Sequence, residues 1–339
     1  MSLDFSCLRT QARPIVLVLA AFVLSGCGGE SSSEPPEDSG LASGDIVFAV
    51  NRDGWNEIWV MDEAGDNRRR LTETRPPGVD AAGNTSPAWS PQGDRIAFVS
   101  SGDVADEDEN RHELYVMDGG GGDAEQLTKN EALDGDPSWS PDGKRIAFVR
   151  ADYWGTDQVV TSLRVIDANG SGEETLLQEQ PLVFMSSPAW SPDGKRIAYS
   201  RASFAGKRLE LTLHVMRSDG SGPMEVAEQA GQPAWSPDGK RIAFVSLADR
   251  HGETCFHDCD PSGEIYVADA NGEHAKRLTK SQANDTSPAW SPDGKQIIFS
   301  SDRSNPQDHE VELYVMPASG GAPKRLTRND AWDLDPDWR

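Results

Sequence analysis

Aspartates placed at fixed distances before tryptophans are the side chains of this chain most able to do chemistry. Asp134 and Asp136 lie five and three residues before Trp139, Asp285 lies five before Trp290, and Asp333 and Asp335 lie five and three before Trp338. Carboxylate oxygens suit a divalent cation or the lysines and arginines of a basic partner segment. The matching positions before Trp89, Trp190 and Trp235 hold Asn84 and Ser86, Met185 and Ser187, and Ala230 and Gln232. The charge is therefore uneven and reads as a one-sided acidic rim. Aspartates also cap their own turns by accepting backbone N–H groups, and that structural role stands beside the binding one.

A second cluster is His251-Gly252-Glu253-Thr254-Cys255-Phe256-His257-Asp258-Cys259-Asp260. In an oxidising compartment Cys255 and Cys259 are expected to close a small local disulfide. The two thiols with His251 and His257 also have the ligand types of a metal site, although this spacing is not a fixed signature. The remaining histidines, His112, His214, His274 and His309, are scattered. The glycines from Gly119 to Gly122 occupy a turn and lack the lysine and helix of a phosphate-binding loop. No Gly-x-Ser-x-Gly nucleophile elbow occurs. Trp55, Trp154 and Trp332 fall outside the repeated tryptophan positions and are candidates for surface contacts.

The elements that position these groups are repeats. Trp89, Trp139, Trp190, Trp235 and Trp290 each sit in a version of Ser-Pro-Ala-Trp-Ser-Pro-Asp-Gly-Lys-Arg-Ile-Ala, and Asp335-Pro336-Asp337-Trp338-Arg339 ends the chain. Successive tryptophans are separated by 50, 51, 45, 55 and 48 residues. In Ser140-Pro141-Asp142-Gly143 and its counterparts, proline presets φ for the turn and glycine accepts the left-handed position after it. The turn joins a Trp-bearing strand to an apolar one such as Ile146-Ala147-Phe148-Val149. That strand is apolar on both faces, as in a sheet covered on both sides. A third strand such as Glu113-Leu114-Tyr115-Val116 and a short fourth ending Arg-Leu-Thr complete the unit. The fold class is all-β: a six-bladed β-propeller of four-stranded antiparallel blades. The first repeat lacks a Trp strand and the C-terminus supplies one, so the last strand is expected to close the ring by completing the first blade.

Residues 1–26 read as a lipoprotein signal peptide. Arg9 and Arg13 precede a short apolar run that ends Leu24-Ser25-Gly26-Cys27, which resembles a bacterial lipobox with Cys27 as the lipidated residue. Residues 27–44 form a Gly/Ser/Glu/Pro tether unable to bury a core, and residues 45–339 form the propeller. The formal net charge of -24 excludes a nucleic-acid backbone as partner.

The Ser-Pro-x-Trp-Ser-Pro-Asp-Gly-Lys turn, the Leu-Tyr-Val-Met-Asp strand and the Arg-Leu-Thr strand resemble the TolB-type, WD40-like bacterial propeller repeats, over residues 45–339. The resemblance implies a protein-binding or scaffolding module of the cell envelope. Its expected partners are envelope proteins or a basic peptide segment, with the membrane reached through the lipid anchor. The place implied is the outer membrane facing the periplasm, or the cell surface, for a monomer. No TolB-like α/β domain precedes the repeats, so the Tol-Pal role itself does not carry over. No cofactor is expected beyond a divalent cation at Asp134, Asp136, Asp285, Asp333 and Asp335. The alternative is a metal-assisted lyase or hydrolase acting on a polysaccharide or peptide through the channel, as in the related oligogalacturonate lyases.

Overall fold

The structure is a computed structural model that describes residues 45–52, 55–73, 82–101, 112–154, 158–205, 208–248, 263–305 and 310–339. Cys27, Cys255 and Cys259 lie outside the described residues, as do His251 and His257.

Every element among the described residues is a strand or a turn. The first set is β1 (Ile46–Arg52), β2 (Trp55–Met61) and β3 (Arg69–Arg70). The second is β4 (Ala82–Trp89), β5 (Arg95–Ser100), β6 (Glu113–Asp118) and β7 (Glu125–Gln126). The third is β8 (Leu133–Trp139), β9 (Arg145–Trp154), β10 (Gln158–Asp167) and β11 (Glu174–Gln178). The fourth is β12 (Val183–Trp190), β13 (Arg196–Ala205), β14 (Arg208–Arg217) and β15 (Met224–Glu228). The fifth is β16 (Ala230–Trp235), β17 (Arg241–Ser246), β18 (Glu264–Asp269) and β19 (Lys276–Arg277). The sixth is β20 (Asp285–Trp290), β21 (Gln296–Asn305), β22 (Glu310–Pro317) and β23 (Lys324–Arg325), and β24 (Trp332–Trp338) follows.

The third to sixth sets are four-stranded antiparallel sheets in which the Trp strand forms one edge. β24 pairs antiparallel with β1 and so stands where the Trp strand stands elsewhere. That set joins β4–β7 in an eight-stranded sheet through a two-residue parallel pairing of Trp55 with Ala82 and Asn56 with Gly83. Trp55 is therefore a strand residue, 3% exposed, with its indole N–H donated to Glu57. It is no surface contact, contrary to the expectation from its place outside the repeat. Trp154 ends β9 and Trp332 begins β24.

The turns form as their composition dictates. Gly143 N–H bonds to Ser140 C=O at 2.8 Å, and Gly143 has φ 67°. Ser140 Oγ donates to Asp142 and accepts the Arg145 N–H at 2.9 Å, which locks the hairpin that starts β9. The second strands are buried on both faces because each lies between two sheets. One apolar cluster joins Ala97, Val99 and Leu114 to Trp139, Ile146 and Phe148; another joins Ile46, Phe48 and Trp338 to Ile298, Leu313 and Val315. Truncating such a side chain, Phe148 for example, costs about 3–5 kcal/mol by lost transfer energy and the cavity left behind.

The repeated tryptophans are fastened by arginines of the preceding set. Arg95 lies 4.7 Å from the Trp139 ring, Arg145 5.2 Å from Trp190, Arg196 4.5 Å from Trp235 and Arg241 4.6 Å from Trp290. The terminal Arg339 serves Trp89 at 4.4 Å. Each stack contributes about 0.5–2 kcal/mol. The Trp strands of successive sets lie against one another, and β24 touches both β20 and β4. These strands, called the inner strands below, carry the candidate residues Asp134, Asp136, Asp285, Asp333 and Asp335.

Candidate functional site at the inner strands

Each inner strand carries an irregularity in its pairing just before the tryptophan. At that point Ser86, Asp136, Ser187, Gln232, Ser287 and Asp335 have φ of 49°, 54°, 51°, 51°, 49° and 48°. All six precede a proline, and none is glycine. A left-handed conformation is rare for such residues and costs of order 1–3 kcal/mol unless the surroundings enforce it. A bulge re-aims a side chain out of the alternation of a flat strand. Here it sets one polar side chain per inner strand at the same level.

These side chains stitch neighbouring inner strands together. Asp136 Oδ2 accepts the Ser187 N–H at 2.8 Å, and Gln232 Oε1 accepts the Ser287 N–H at 3.0 Å. Ser287 Oγ donates to Asp335 Oδ1 at 2.9 Å, and Asp337 Oδ2 accepts the Trp89 N–H at 2.7 Å. Asp136, Asp335 and Asp337 keep part of their surface open. Burial pushes the carboxyls of Asp335 and Asp337 up to about 6, Asp335 also by the charge of Asp136, and burial raises Asp136 as well. Among the described residues no arginine or lysine pairs with these three. They hold negative charge that only weak neutral donors offset, which suits an incoming cation.

The other sequence-predicted carboxylates sit elsewhere. Asp134, Asp285 and Asp333 are at most 1% exposed. Asp134 is held by Arg150 at 2.6 and 2.8 Å, and Asp285 by Arg303 at 2.6 Å and Ser301 at 2.6 Å. These three are part of the blade interior and form no exposed rim. Nor is the acidic set continuous: β4, with Asn84 and Ser86, lies between β24 and β8. Of the five expected residues, only Asp136 and Asp335 come together.

Their uneven distribution has a local cause. Glu113 at the start of β6 accepts the Asn130 N–H at 2.6 Å, and Asn130 Nδ2 donates to Asp134 at 2.9 Å. Glu312, Asn329 and Asp333 repeat the arrangement at 3.0 and 2.9 Å. The threonine of each Arg-Leu-Thr or Gln-Leu-Thr end accepts the N–H after that glutamate: Thr128 from Leu114, Thr279 from Ile265 and Thr327 from Leu313. In β10 and β14, Ser162 and Thr212 take the register place of the glutamate, and the following strands carry Met185 and Ala230. Aspartate five residues before tryptophan therefore completes a connection. Asp337 is the site residue that the spacing analysis passed over. Its signal was Asp-Pro-Asp-Trp, where the other repeats have Ala or Ser before the tryptophan.

Among the described residues no three His, Cys, Asp or Glu side chains converge as a metal site, and no helix is long and apolar enough to cross a membrane.

Residues 79–162 and 145–339 match the family model described as the TolB beta propeller domain. The chain belongs to the TolB β-propeller family. The Tol-Pal system protein TolB of Bordetella pertussis is 36% identical over 144 residues, which is 42% of this chain and 30% of that protein. The TolB of Bordetella parapertussis is 36% identical over the same length, 42% of this chain and 29% of its own. The match thus spans under a third of these curated relatives. Among solved structures, TolB from Acinetobacter baumannii superposes with a TM-score of 0.66 at 20% identity, covering 87% of this chain and 66% of that one. An oligogalacturonate lyase in complex with manganese reaches 0.54 at 17% identity, covering 85% and 74%. At these identities the likeness is one of fold.

Proposed function

We propose that the chain is an exported, lipid-anchored envelope protein whose six-bladed propeller binds a partner protein through a basic segment. In this reading residues 1–26 are removed, Cys27 carries the lipid, residues 27–44 are the tether, and residues 45–339 form one ring closed by β24 in the first blade. The β24–β1 pairing and the contact of β24 with both β20 and β4 support closure. A closed ring makes the inner strands the wall of a channel. The kinship with TolB, a protein of an envelope system by its name, supports an envelope partner.

The observation that carries the binding reading is the pair Asp136 and Asp335, with Asp337 two residues further along β24. These three partly open carboxylates pair with no basic side chain among the described residues, and the positions matching Asp136 and Asp335 on the other inner strands hold the neutral Ser86, Ser187, Gln232 and Ser287. A lysine or arginine entering the channel meets charge on one side and hydroxyl or amide groups on the other. The test is crosslinking and mass spectrometry in the native organism with the wild type and with Asp136→Asn, Asp335→Asn and Asp337→Asn combined. Asn keeps an oxygen for each backbone N–H and removes three charges. Loss of the envelope partner from the crosslinked set, or a weakened salt dependence, supports the reading; an unchanged partner set overturns it.

A further inference from the structure

We propose that Asp333 is held protonated in the folded chain near the Glu312 carboxylate, and that this proton lets β24 lie against β1 without a basic side chain beside it. The inference concerns the pairing of β24 with β1 and is independent of what the inner strands bind.

The internal repeats expose the anomaly. In the third set Asp134 is opposite Arg150 in the strand register, and the guanidinium neutralises it. In the sixth set Asp285 is opposite Ser301, with Arg303 two residues on. In the set completed by β24 the residue opposite Asp333 is Val50. Asp333 and Glu312 are both 0% exposed, and Asp333 Oδ1 and Glu312 Oε2 have no hydrogen-bond partner. Two buried carboxylates with idle oxygens do not both stay ionised, because burial and mutual repulsion both favour a proton on one of them.

The surrounding groups decide which one. Arg325 of β23 donates to Glu312 Oε1 at 2.5 Å, and the Asn329 N–H reaches the same atom at 3.0 Å. Asp333 receives only neutral donors, Asn329 at 2.9 Å and the neighbouring Thr327. Arg68 contributes a positive charge, but its guanidinium is spent on the carbonyls of Gly65 and Leu326 at 3.1 and 2.9 Å. From β1 the facing residue, Val50, is uncharged. Asp333, the one without a cationic donor, therefore carries the proton. Burial first, then the Glu312 charge, lifts the Asp333 carboxyl to about 7. Its folded value is raised, so its stabilising contribution is complete below the unfolded value of about 3.9 and is lost as pH rises through about 7. The junction is thus a proton-linked latch, tighter in acid and looser in alkali.

The experiment follows the aspartate carboxyl carbons of the isotope-labelled full chain by NMR between pH 5 and 9, in wild type, Asp333→Asn and Val50→Arg. A carboxyl with a midpoint near 7 is expected in wild type and is missing from Asp333→Asn. In Val50→Arg, which supplies the guanidinium that Arg150 supplies to Asp134, the midpoint falls below 5. Urea unfolding gives a second readout. From pH 5 to 7 the unfolding constant of wild type rises relative to that of Asp333→Asn by up to about tenfold per pH unit. If Asp333→Asn removes no carboxyl titrating between 6 and 8, the proposal is wrong. It is equally wrong if the two proteins show parallel pH dependence. Should Asp333→Asn fail to fold, Glu312→Gln serves: it removes the repelling charge and shifts the same midpoint downward, and an unmoved midpoint overturns the proposal.

Discussion

Replacing Arg150 with methionine should put Asp134 in the situation that Asp333 occupies naturally. Arg150 is 8% exposed and Asp134 1%, joined by bonds of 2.6 and 2.8 Å. Methionine fills much of the arginine stem's volume but leaves the carboxylate with Asn130 alone at 2.9 Å. Breaking a buried pair from one side costs about 3–5 kcal/mol, since the remaining charge is uncompensated. Glu173 also loses an Arg150 contact but keeps Arg164, so its share is small. The assay is urea unfolding at pH 7, with a lowered midpoint and an unchanged slope. The double variant Arg150→Met, Asp134→Asn should recover most of the loss, because no charge is then left behind. A single-variant cost below about 1 kcal/mol would refute the assignment of Asp134 to a charge-compensated interior.

Cys27→Ala should abolish metabolic fatty-acid labelling and release the protein from the membrane fraction; persistent labelling would place the anchor elsewhere. Deleting Asp335 to Arg339 removes most of β24 together with the arginine that stacks on Trp89, and leaves Ile46 and Val47 of β1 without their β24 partners. Aggregation or a clear drop in melting temperature is expected, whereas melting like the full chain would rule out closure through β24. Mass spectrometry of unreduced protein should find Cys255 and Cys259 two hydrogens lighter than the dithiol, and a full dithiol mass would count against the disulfide. Partner binding at the inner strands should strengthen as pH rises from about 5 to 7, because Asp335 and Asp337, both about 6, lose their protons there. Those same raised values make folding stability fall over that interval, from full below about 3.9. Affinity that is flat or falls with pH would exclude the two carboxylates from the contact.

The repeats were legible in the linear chain because each depends on local chemistry. Ser140-Pro141-Asp142-Gly143 makes its turn whatever surrounds it, and Ile146-Ala147-Phe148-Val149 cannot be solvated on either face. The missing Trp strand at the start and the spare one at the end pointed to the β24–β1 pairing without any coordinates. Side-chain destinations were not legible in the same way. Asp134 and Asp136 are two residues apart on one strand, and plain alternation puts both on the same face. The bulge before Pro137, with Asp136 at φ 54°, sends them to different surroundings. One becomes a buried partner of Arg150, sixteen residues away in the chain. The other is a half-open group bonded to Ser187 on the next inner strand. Burial and the presence or absence of a guanidinium set the proton affinity of each carboxylate. Both depend on which strands the fold lays side by side, so only the tertiary structure could separate Asp134 from Asp333, or bring Asp136 near Asp335.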